Sequence, residues 1–341
     1  MTKLPNITCL DDVRQILGDL PDPDIEAAKA AQLREPQLTK PQGSLGRLEQ
    51  LAAWTATWQG HYPPRMENPN AHVFAGNHGV VDQGVSAFPA EVTKQMVQNF
   101  EHGGAAINQM CDVLGVGLCV ESMDLDNPTA DFTQAPAMTD AQCAEAIQFG
   151  MKVIDSESDL ACLGEMGIGN TTSASAICLA LFGGHSYTWA GPGTGISETA
   201  VSHKAEVINR AVTLHKANMH DGLDVLQCLG GRELAAIAGA VIGARLKKVP
   251  VFLDGFVSTA AAAPLAAMSK RTLDHCKVGH TSQEPGHKLL LEKIGKVAIL
   301  DQHMRLGEAT GAVLAVGVLK AAIACHNNMM TFAQAGVSDK G

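Results

Sequence analysis

One carboxylate in this sequence has a setting suited to proton transfer. Glu308 lies in the segment RLGEATGA (305–312), at the entrance of a helical pattern that is otherwise almost wholly apolar. If it faces solvent in the first turn of that helix, it only complements the helix dipole. If it lies in a cleft, burial raises its pKa, and it becomes a general base for a weakly acidic N–H. The sequence leaves both interpretations open.

A turn near the middle of the chain, LGEMGIGNTTS (163–173), predicts an anion site. An apolar run typical of a buried strand ends here, and a helical pattern begins. Backbone N–H groups at a helix N-terminus suit a phosphate, and Thr171, Thr172 and Ser173 add hydroxyl donors. Glu165 in the same turn indicates that a second polar part of the ligand is also contacted. An ordinary strand-to-helix turn with a polar cap is the alternative.

Two further glycine-containing loops predict contacts to the same kind of ligand. GPGTG (191–195) is followed by Lys204 on the next helix, and such a loop with a lysine can hold a phosphate. Its spacing is neither that of a P-loop nor that of a dinucleotide fingerprint. In GHTSQEPGH (279–287), hydroxyl side chains precede a helix with Pro285 in its first turn. Ordinary helix capping would also explain each loop.

The segment GNHGVVDQGVSAFP (76–89) predicts a slot for a flat ring. Phe88 and Met96 offer apolar surface, and Gln95 offers one amide at its edge, a combination that suits a planar heterocycle.

Metal binding is the alternative for this region, through His72, His78 and Asp82. Their spacing matches no usual ligand pattern. Nine cysteines are scattered without a C-x-x-C pair, which favours neither a zinc site nor a disulfide framework.

The composition indicates a soluble globular protein that binds small molecules. The 341 residues are 46% hydrophobic and 18% charged, with a net charge of −10. This negative charge opposes binding to nucleic acid or to an anionic membrane, because both need a basic face. The longest apolar tracts, 234–244 and 309–325, are too short for a membrane span or are interrupted by Lys320. No secretory signal is evident, so we expect a cytoplasmic protein without stable membrane insertion.

The elements that must position these residues form an α/β pattern. Short apolar runs alternate with helical patterns, which predicts a parallel sheet covered on both faces, with the ligand site at the carboxyl ends of the strands. We expect a small helical domain from residues 1–68 with a C-terminal helix at 311–341, and an α/β domain over 69–310 that carries the active site. The predicted strands are 72–75, 116–120, 159–163, 250–253, 297–300 and, more weakly, 275–278.

Six motifs taken together resemble those of the nicotinate-nucleotide:dimethylbenzimidazole phosphoribosyltransferase family. They follow one another in order over essentially the whole chain. They are KPQGSLGRLE, GNHGVVDQGVSAFP, GEMGIGNTTSASA, GPGTG, GHTSQEPGH and RLGEATGA.

The resemblance implies a Rossmann-like parallel sheet with a small helical domain, a homodimer, and a reaction without metal or other cofactor. That reaction moves phosphoribose from nicotinate mononucleotide to 5,6-dimethylbenzimidazole with inversion at the anomeric carbon, in cobalamin lower-ligand synthesis. It implies Glu308 as the catalytic base and Glu165 as a contact to the ribose or to the reacting base. The implied nucleotide contacts are Glu165, Gly167, Gly169, Asn170, Thr171, Gly193, Gly195, Lys204 and Ser282, and the implied base pocket is Ala87, Phe88, Gln95, Met166 and Leu306.

Two other classes of function stay open at this point. One is a non-catalytic nucleotide-binding module in which Glu308 is only a helix-start acid. The other is a metal-dependent hydrolase that uses His78, Asp82 and His280. The sequence also leaves open which flat base is accepted, because Met166 is an adaptable side chain.

Overall fold

The computed structural model describes residues 4–338, and within them the chain forms one five-stranded sheet and fifteen α-helices. All strand pairs are parallel, and the strand order is β2-β1-β3-β4-β5, which confirms the predicted α/β class. The strands are β1 (Pro69–Ala75), β2 (Gly117–Ser122), β3 (Leu160–Met166), β4 (Val251–Leu253) and β5 (Cys276–Val278).

The helices connect and cover these strands. In chain order they are α1 (Leu10–Gly18), α2 (Ile25–Arg34), α3 (Arg47–Gln59), α4 (Glu91–Glu101), α5 (Ala106–Leu114), α6 (Asp140–Val153), α7 (Asn170–Phe182), α8 (Ser186–Trp189), α9 (Glu198–His215), α10 (Gly222–Leu229), α11 (Arg232–Leu246), α12 (Phe256–Met268), α13 (Gly286–Ile294), α14 (Thr310–Asn328) and α15 (Phe332–Ala335).

The predicted strand at 297–300 is wrong. Leu300 makes a single isolated bridge to His280, beyond the end of β5, and no ladder follows it. The segment passes the carboxyl end of β5, where Ile299 donates its N–H to the carbonyl of Val278 at 2.9 Å. Val297 is 70% exposed, so the apolar residues of this run do not form one buried face.

Alternate residues of the central strands enter two separate cores. In β3, Ala161 and Leu163 face a core shared with α6, α7, α11 and α12, whereas Leu160 and Cys162 face a core shared with α3, α5 and α14. Both faces of the sheet are therefore covered, as expected for parallel strands with near-continuous apolar sequence.

Helix α14 accounts for the long apolar tract near the C-terminus. By length and composition alone it could cross a membrane, but 56% of its most apolar window is buried inside the fold. It packs on α3 and α5, and Val313, Val316 and Leu319 join the second core. Its composition is thus that of a core helix. The proposed division into domains at residue 68 stays a prediction.

Helices α6 and α11 pack with their backbones in close contact. A Cβ atom at Gly150 would lie 1.8 Å from the carbonyl oxygen of Ala236, and one at Gly239 would lie 2.0 Å from that of Ile147. Only glycine allows this approach. The contact fixes the position of α11. Glu233, in the first turn of that helix, lies beneath the site described below.

Gly150→Ala should therefore separate the two helices and lower the free energy of unfolding by about 1–3 kcal/mol, as overpacking does elsewhere. Urea unfolding measures the loss. Gly18→Ala is the matched control, because a Cβ atom there meets nothing within 4 Å. We expect the control to change stability by less than about 0.5 kcal/mol. Equal effects of the two substitutions would contradict the close packing.

Candidate active site

A cavity of about 290 Å³ opens at the carboxyl ends of β3, β4 and β5, the edge where a parallel sheet places its ligands. Nine of the site residues that the family resemblance implies line its wall. They are Phe88, Glu165, Met166, Gly167, Asn170, Thr171, Gly193, Ser282 and Leu306.

The other site residues implied by the resemblance do not line this cavity directly. Lys204 lies behind the wall and donates a hydrogen bond from Nζ to Thr171 Oγ1 at 2.7 Å. Gly169 is the N-cap residue of α7 with a φ of 93°. Gln95 lines a different cleft, together with Lys94 and Asp126. The others outside the wall are Ala87, Gly195 and Glu308.

Glu308 is held against the end of β3. Its backbone N–H donates to the carbonyl of Glu165 at 3.1 Å, and its neighbour Gly307 is a wall residue of the cavity. The sequence left open whether Glu308 faces solvent or lies buried in a cleft. It is 5% exposed, so it is buried. Burial raises the pKa of Glu308 to about 7, and no described residue donates a hydrogen bond to its carboxylate.

The backbone around Glu308 has an uncommon conformation. Gly307, Glu308 and Ala309 have consecutive φ values of 85°, 61° and 63°, all in the left-handed region. Non-glycine residues in this region cost on the order of 1–3 kcal/mol each, and such strain is concentrated at functional sites. Gly164 in β3 allows the loop to lie this close, because a Cβ atom there would be 2.0 Å from the Ala309 nitrogen.

Glu165, the residue before the last in β3, faces the cavity beside Asn170. The Asn170 amide donates a short hydrogen bond to Glu165 Oε2. Burial raises the pKa of Glu165 to about 8; the Asn170 contact opposes this rise, and the charges of Asp254, Glu233 and Glu308 add to it. At neutral pH the carboxyl group is therefore largely protonated, and it can both donate and accept a hydrogen bond.

Asp254 follows β4 and anchors the N-terminus of α14. Its Oδ1 accepts the N–H of Ala312 at 2.9 Å, so the residue aligns the helix that follows Glu308. Burial raises the pKa of Asp254 to about 7, against the lowering effect of backbone N–H groups. His280 lies 3.7 Å from the same oxygen and lines the cavity, and neither of its ring nitrogens has a hydrogen-bond partner among residues 4–338.

The opposite side of the cavity can hold an anion. Lys204 is 1% exposed, and burial lowers its pKa to about 8, an effect that the Glu284 charge opposes. Its Nζ donates to the carbonyl of Gly191 at 3.1 Å as well as to Thr171. Arg305 Nη1 reaches the carbonyl of Gly193 at 2.9 Å at the exposed mouth. Both positive charges therefore border the glycine loop.

Glu284 was missed by the sequence reasoning, although its motif was singled out. Its Oε1 accepts the N–H of Gly193 at 2.9 Å, so a carboxylate binds the loop proposed for phosphate. Burial raises the pKa of Glu284, and the nearby Lys204 charge opposes this rise. A Cβ atom at Gly191 would lie 2.6 Å from Pro285 Cδ and 2.1 Å from Glu284 Oε2, so a larger residue there would displace these side chains. Asp254 and Arg305 were missed as well, since contact partners distant in sequence give no local signal.

Only one of the three adjacent hydroxyl residues at the start of α7 faces the cavity. Thr171 does so, whereas Thr172 and Ser173 are fully buried. Ser173 Oγ lies 3.1 Å from His78 Nδ1, and His78 Nε2 lies 2.5 Å from Glu233 Oε1. The prediction of three hydroxyl donors to a ligand is wrong for Thr172 and Ser173, because successive helix residues point in different directions.

The proposed metal set His78, Asp82 and His280 is not brought together. His78 is engaged with Glu233, Asp82 is exposed, and His280 is a wall residue of the cavity. Among the described residues, these three do not form a group at metal-ligand distances.

Comparison with known proteins identifies the family. A family model described as "Phosphoribosyltransferase" matches residues 20–337. The chain is 54% identical to the nicotinate-nucleotide–dimethylbenzimidazole phosphoribosyltransferase of Ruegeria pomeroyi, over 98% of this chain and 99% of that protein. It is also 54% identical to the protein of the same name from Rhizobium meliloti, over 97% of both chains.

The chain belongs to the nicotinate-nucleotide–dimethylbenzimidazole phosphoribosyltransferase family. Its fold agrees with this membership. The crystal structure of CobT from Thermus thermophilus is similar, with a TM-score of 0.85 and 39% identity over 92% of this chain and all of that one. A second structure from the same organism, titled as a phosphoribosyltransferase of this kind, has a TM-score of 0.83 at 38% identity. The resemblance drawn from the six motifs is confirmed.

The raised pKa of Glu165 predicts a dependence of stability on pH for this family member. The unfolded chain loses this proton near pH 4.5, whereas the folded protein keeps it until about pH 8, so stability falls as the pH rises through this range. Glu165→Gln cannot ionise, and its oxygen can still accept from Asn170. Between about pH 5 and pH 8, we expect the free energy of unfolding to fall more in the wild type than in the variant. The difference should exceed about 1 kcal/mol.

Urea unfolding across this pH range measures the difference. Glu198→Gln is the control, because Glu198 is exposed in the first turn of α9. A wild-type pH dependence in Glu165→Gln would show that Glu165 is already ionised in the folded protein.

Proposed function

We propose that the protein transfers phosphoribose from nicotinate mononucleotide to 5,6-dimethylbenzimidazole, giving α-ribazole 5′-phosphate and nicotinate for the lower ligand of cobalamin. The names of the full-length relatives support this reaction. The observation that carries it is the buried Glu308 carboxylate without a hydrogen-bond donor, beside a cavity that has cationic groups on its other side.

The phosphate of the mononucleotide belongs on the side of the cavity that has Lys204, Thr171, Ser282 and the loop at Gly193. The buried ammonium group and the backbone N–H groups of this side suit a dianion. Glu284 currently accepts the Gly193 N–H, so the incoming phosphate replaces it there. Fixing the phosphate and the ribose in this way supplies the positioning component of catalysis, on the order of 7 kcal/mol or more when geometry is optimal.

The ribose belongs beside Glu165 and Asn170, on the floor of the cavity. A protonated Glu165 can donate to one ribose hydroxyl and accept from another. Phe88, Met166 and Leu306 provide apolar surface for the flat base at the cavity mouth, where Phe88 is 47% exposed and Leu306 is 56% exposed. Binding of the base would cover these side chains.

The reaction breaks one C–N bond and forms another. Nicotinate leaves from a pyridinium, so the bonding electron pair returns to its ring nitrogen and no metal is required. One benzimidazole nitrogen attacks the opposite face of C1′, which inverts that centre. The ring then becomes cationic and its other N–H acidifies, and the Glu308 carboxylate accepts this proton. A pKa near 7 keeps Glu308 partly ionised and basic enough for the task.

Two broader features belong to the same proposal. We expect a homodimer in the cytoplasm, with no resident cofactor. We name dimethylbenzimidazole as the acceptor from the relatives, and an assay with mixed flat bases would determine the preference. A non-catalytic nucleotide-binding module is the competing function.

The direct test is to incubate the purified protein with nicotinate mononucleotide and dimethylbenzimidazole and to measure free nicotinate and α-ribazole phosphate. We expect both products in equal amounts, also in the presence of a chelator. Binding of the mononucleotide without release of nicotinate would favour the non-catalytic module. Loss of turnover in chelator would favour metal-dependent chemistry.

Glu308→Gln should lower kcat by about 10²–10⁴-fold, because the amide cannot accept the benzimidazole proton. The affinity for nicotinate mononucleotide, measured by calorimetry, should stay that of the wild type. Glu198→Gln, an exposed carboxylate at another helix start, should leave kcat unchanged. A kcat near the wild-type value in Glu308→Gln would reject the general-base role.

Lys204→Met should raise KM for nicotinate mononucleotide by about tenfold or more and change kcat less, because it removes a charge-assisted contact to the phosphate. Lys216→Met is the control, since Lys216 is an exposed lysine just after the same helix. Circular dichroism checks that the buried substitution leaves the fold intact. An unchanged KM in a folded Lys204→Met protein would place the phosphate elsewhere.

A further inference from the structure

We propose that His72, Cys119 and Glu121 form a binding site for one zinc-class divalent metal ion at the β2 edge of the sheet. The cluster uses no residue of the cavity described above and is independent of the proposed transfer reaction.

The strand register brings the three side chains together. His72 in β1 pairs with Cys119 in β2, and Phe74 pairs with Glu121 in the same parallel ladder. Because side chains alternate along a strand, Cys119 and Glu121 project from the same face, and the paired position of His72 places it on that face too. Two ligands at i and i+2 on one strand with a third on the neighbouring strand form a triangle that the backbone holds in place.

The distances suit a shared ion. The His72 nitrogen, the Cys119 sulfur and a Glu121 oxygen all lie within 4.8 Å of one another. His72 Nδ1 and Glu121 Oε1 are 3.5 Å apart, which is long for a direct hydrogen bond but suits two ligands of one tetrahedral ion.

A second observation points to a ligand at this place. His72 is 3% exposed, and its Nδ1 has no hydrogen-bond partner within the part of the chain that the structure describes. A buried ring nitrogen without a partner destabilises a fold, and a metal ion bound to it would remove that cost. The Glu121 side chain is 19% exposed and Cys119 is half-buried, so an ion can enter from solvent and keep a water molecule as its fourth ligand.

The donor set determines the class of metal. A thiolate, an imidazole and a carboxylate are the ligands that Zn²⁺ takes in proteins, and Co²⁺ can replace it as a spectroscopic probe. Mg²⁺ and Ca²⁺ prefer oxygen ligands only, so this set disfavours them. A bound metal ion would cross-link the edge strand β2 to β1 and stabilise their pairing.

The test is a Co²⁺ titration of the full-length protein, freed of any affinity tag and previously treated with chelator. We expect one equivalent to bind, with a sulfur-to-cobalt charge-transfer band that Zn²⁺ abolishes. Cys119→Ala should remove the band, and Glu121→Gln should weaken Zn²⁺ binding by about tenfold or more. Zn²⁺ should raise the Tm of the wild type but not that of Cys119→Ala.

Cys325→Ala is the matched control, because Cys325 is also a half-buried free cysteine but lies outside the cluster, on α14. It should keep the band and the wild-type affinity. If Cys119→Ala does not fold, Glu121→Gln still decides the question. This variant keeps the His72 and Cys119 ligands and replaces only the Glu121 carboxylate by an amide. Absence of the charge-transfer band in the wild type, or its persistence in folded Cys119→Ala, would overturn the proposal, as would wild-type Zn²⁺ affinity in Glu121→Gln.

Discussion

The close approach of the loop 307–309 to strand β3 is the constraint on which the site depends. Gly164 gives the loop room to lie on the strand, and the N–H of Glu308 is bound to the carbonyl of Glu165. The strained left-handed backbone at this point turns the Glu308 side chain out of solvent, and Asp254 holds the following helix in line. The Glu308 residue is 5% exposed and burial raises the pKa of its carboxyl group, because water solvates a buried carboxylate poorly. The fold thereby gives Glu308 a higher proton affinity than a surface glutamate has, as its proposed role of general base requires.

Electrostatics divide the cavity into two sides with different tasks. On the acidic side Glu165 lines the cavity, and Asp254 and Glu308 lie close behind it. Burial raises the pKa of all three carboxyl groups, and the charge of Glu308 adds to the rise for Glu165 and Asp254. These groups therefore hold and accept protons. On the other side lies the buried Lys204, which compensates the phosphate in the proposed complex, and Glu284 accepts the Gly193 N–H in the structure described here. A ligand with a phosphate at one end and a departing heterocycle at the other fits this division.

Local patterns in the sequence were sufficient for the fold class and for most of the wall of the cavity. Glycine turns after apolar runs located Gly167, Thr171 and Gly193, because a parallel sheet gathers such turns at one edge. The failures have a different origin. The run 297–300 is apolar but forms only one isolated bridge and no strand ladder. The contacts of Glu284 and Asp254 join segments far apart in sequence, so no local pattern contains them. The setting of Glu308 was an open alternative, since burial is a property of the folded chain.

The pKa of the Glu308 carboxyl group tests this account most directly. Carboxyl NMR of the free protein, labelled at glutamate and compared with Glu308→Gln, would identify its resonance and follow its titration. We expect the Glu308 carboxyl group to titrate near pH 7, because burial raises its pKa and no described residue donates a hydrogen bond to it. A titration near the ordinary value of 4.5 would show that the group is solvated, and a solvated carboxylate would contradict the assignment of Glu308 as the catalytic base.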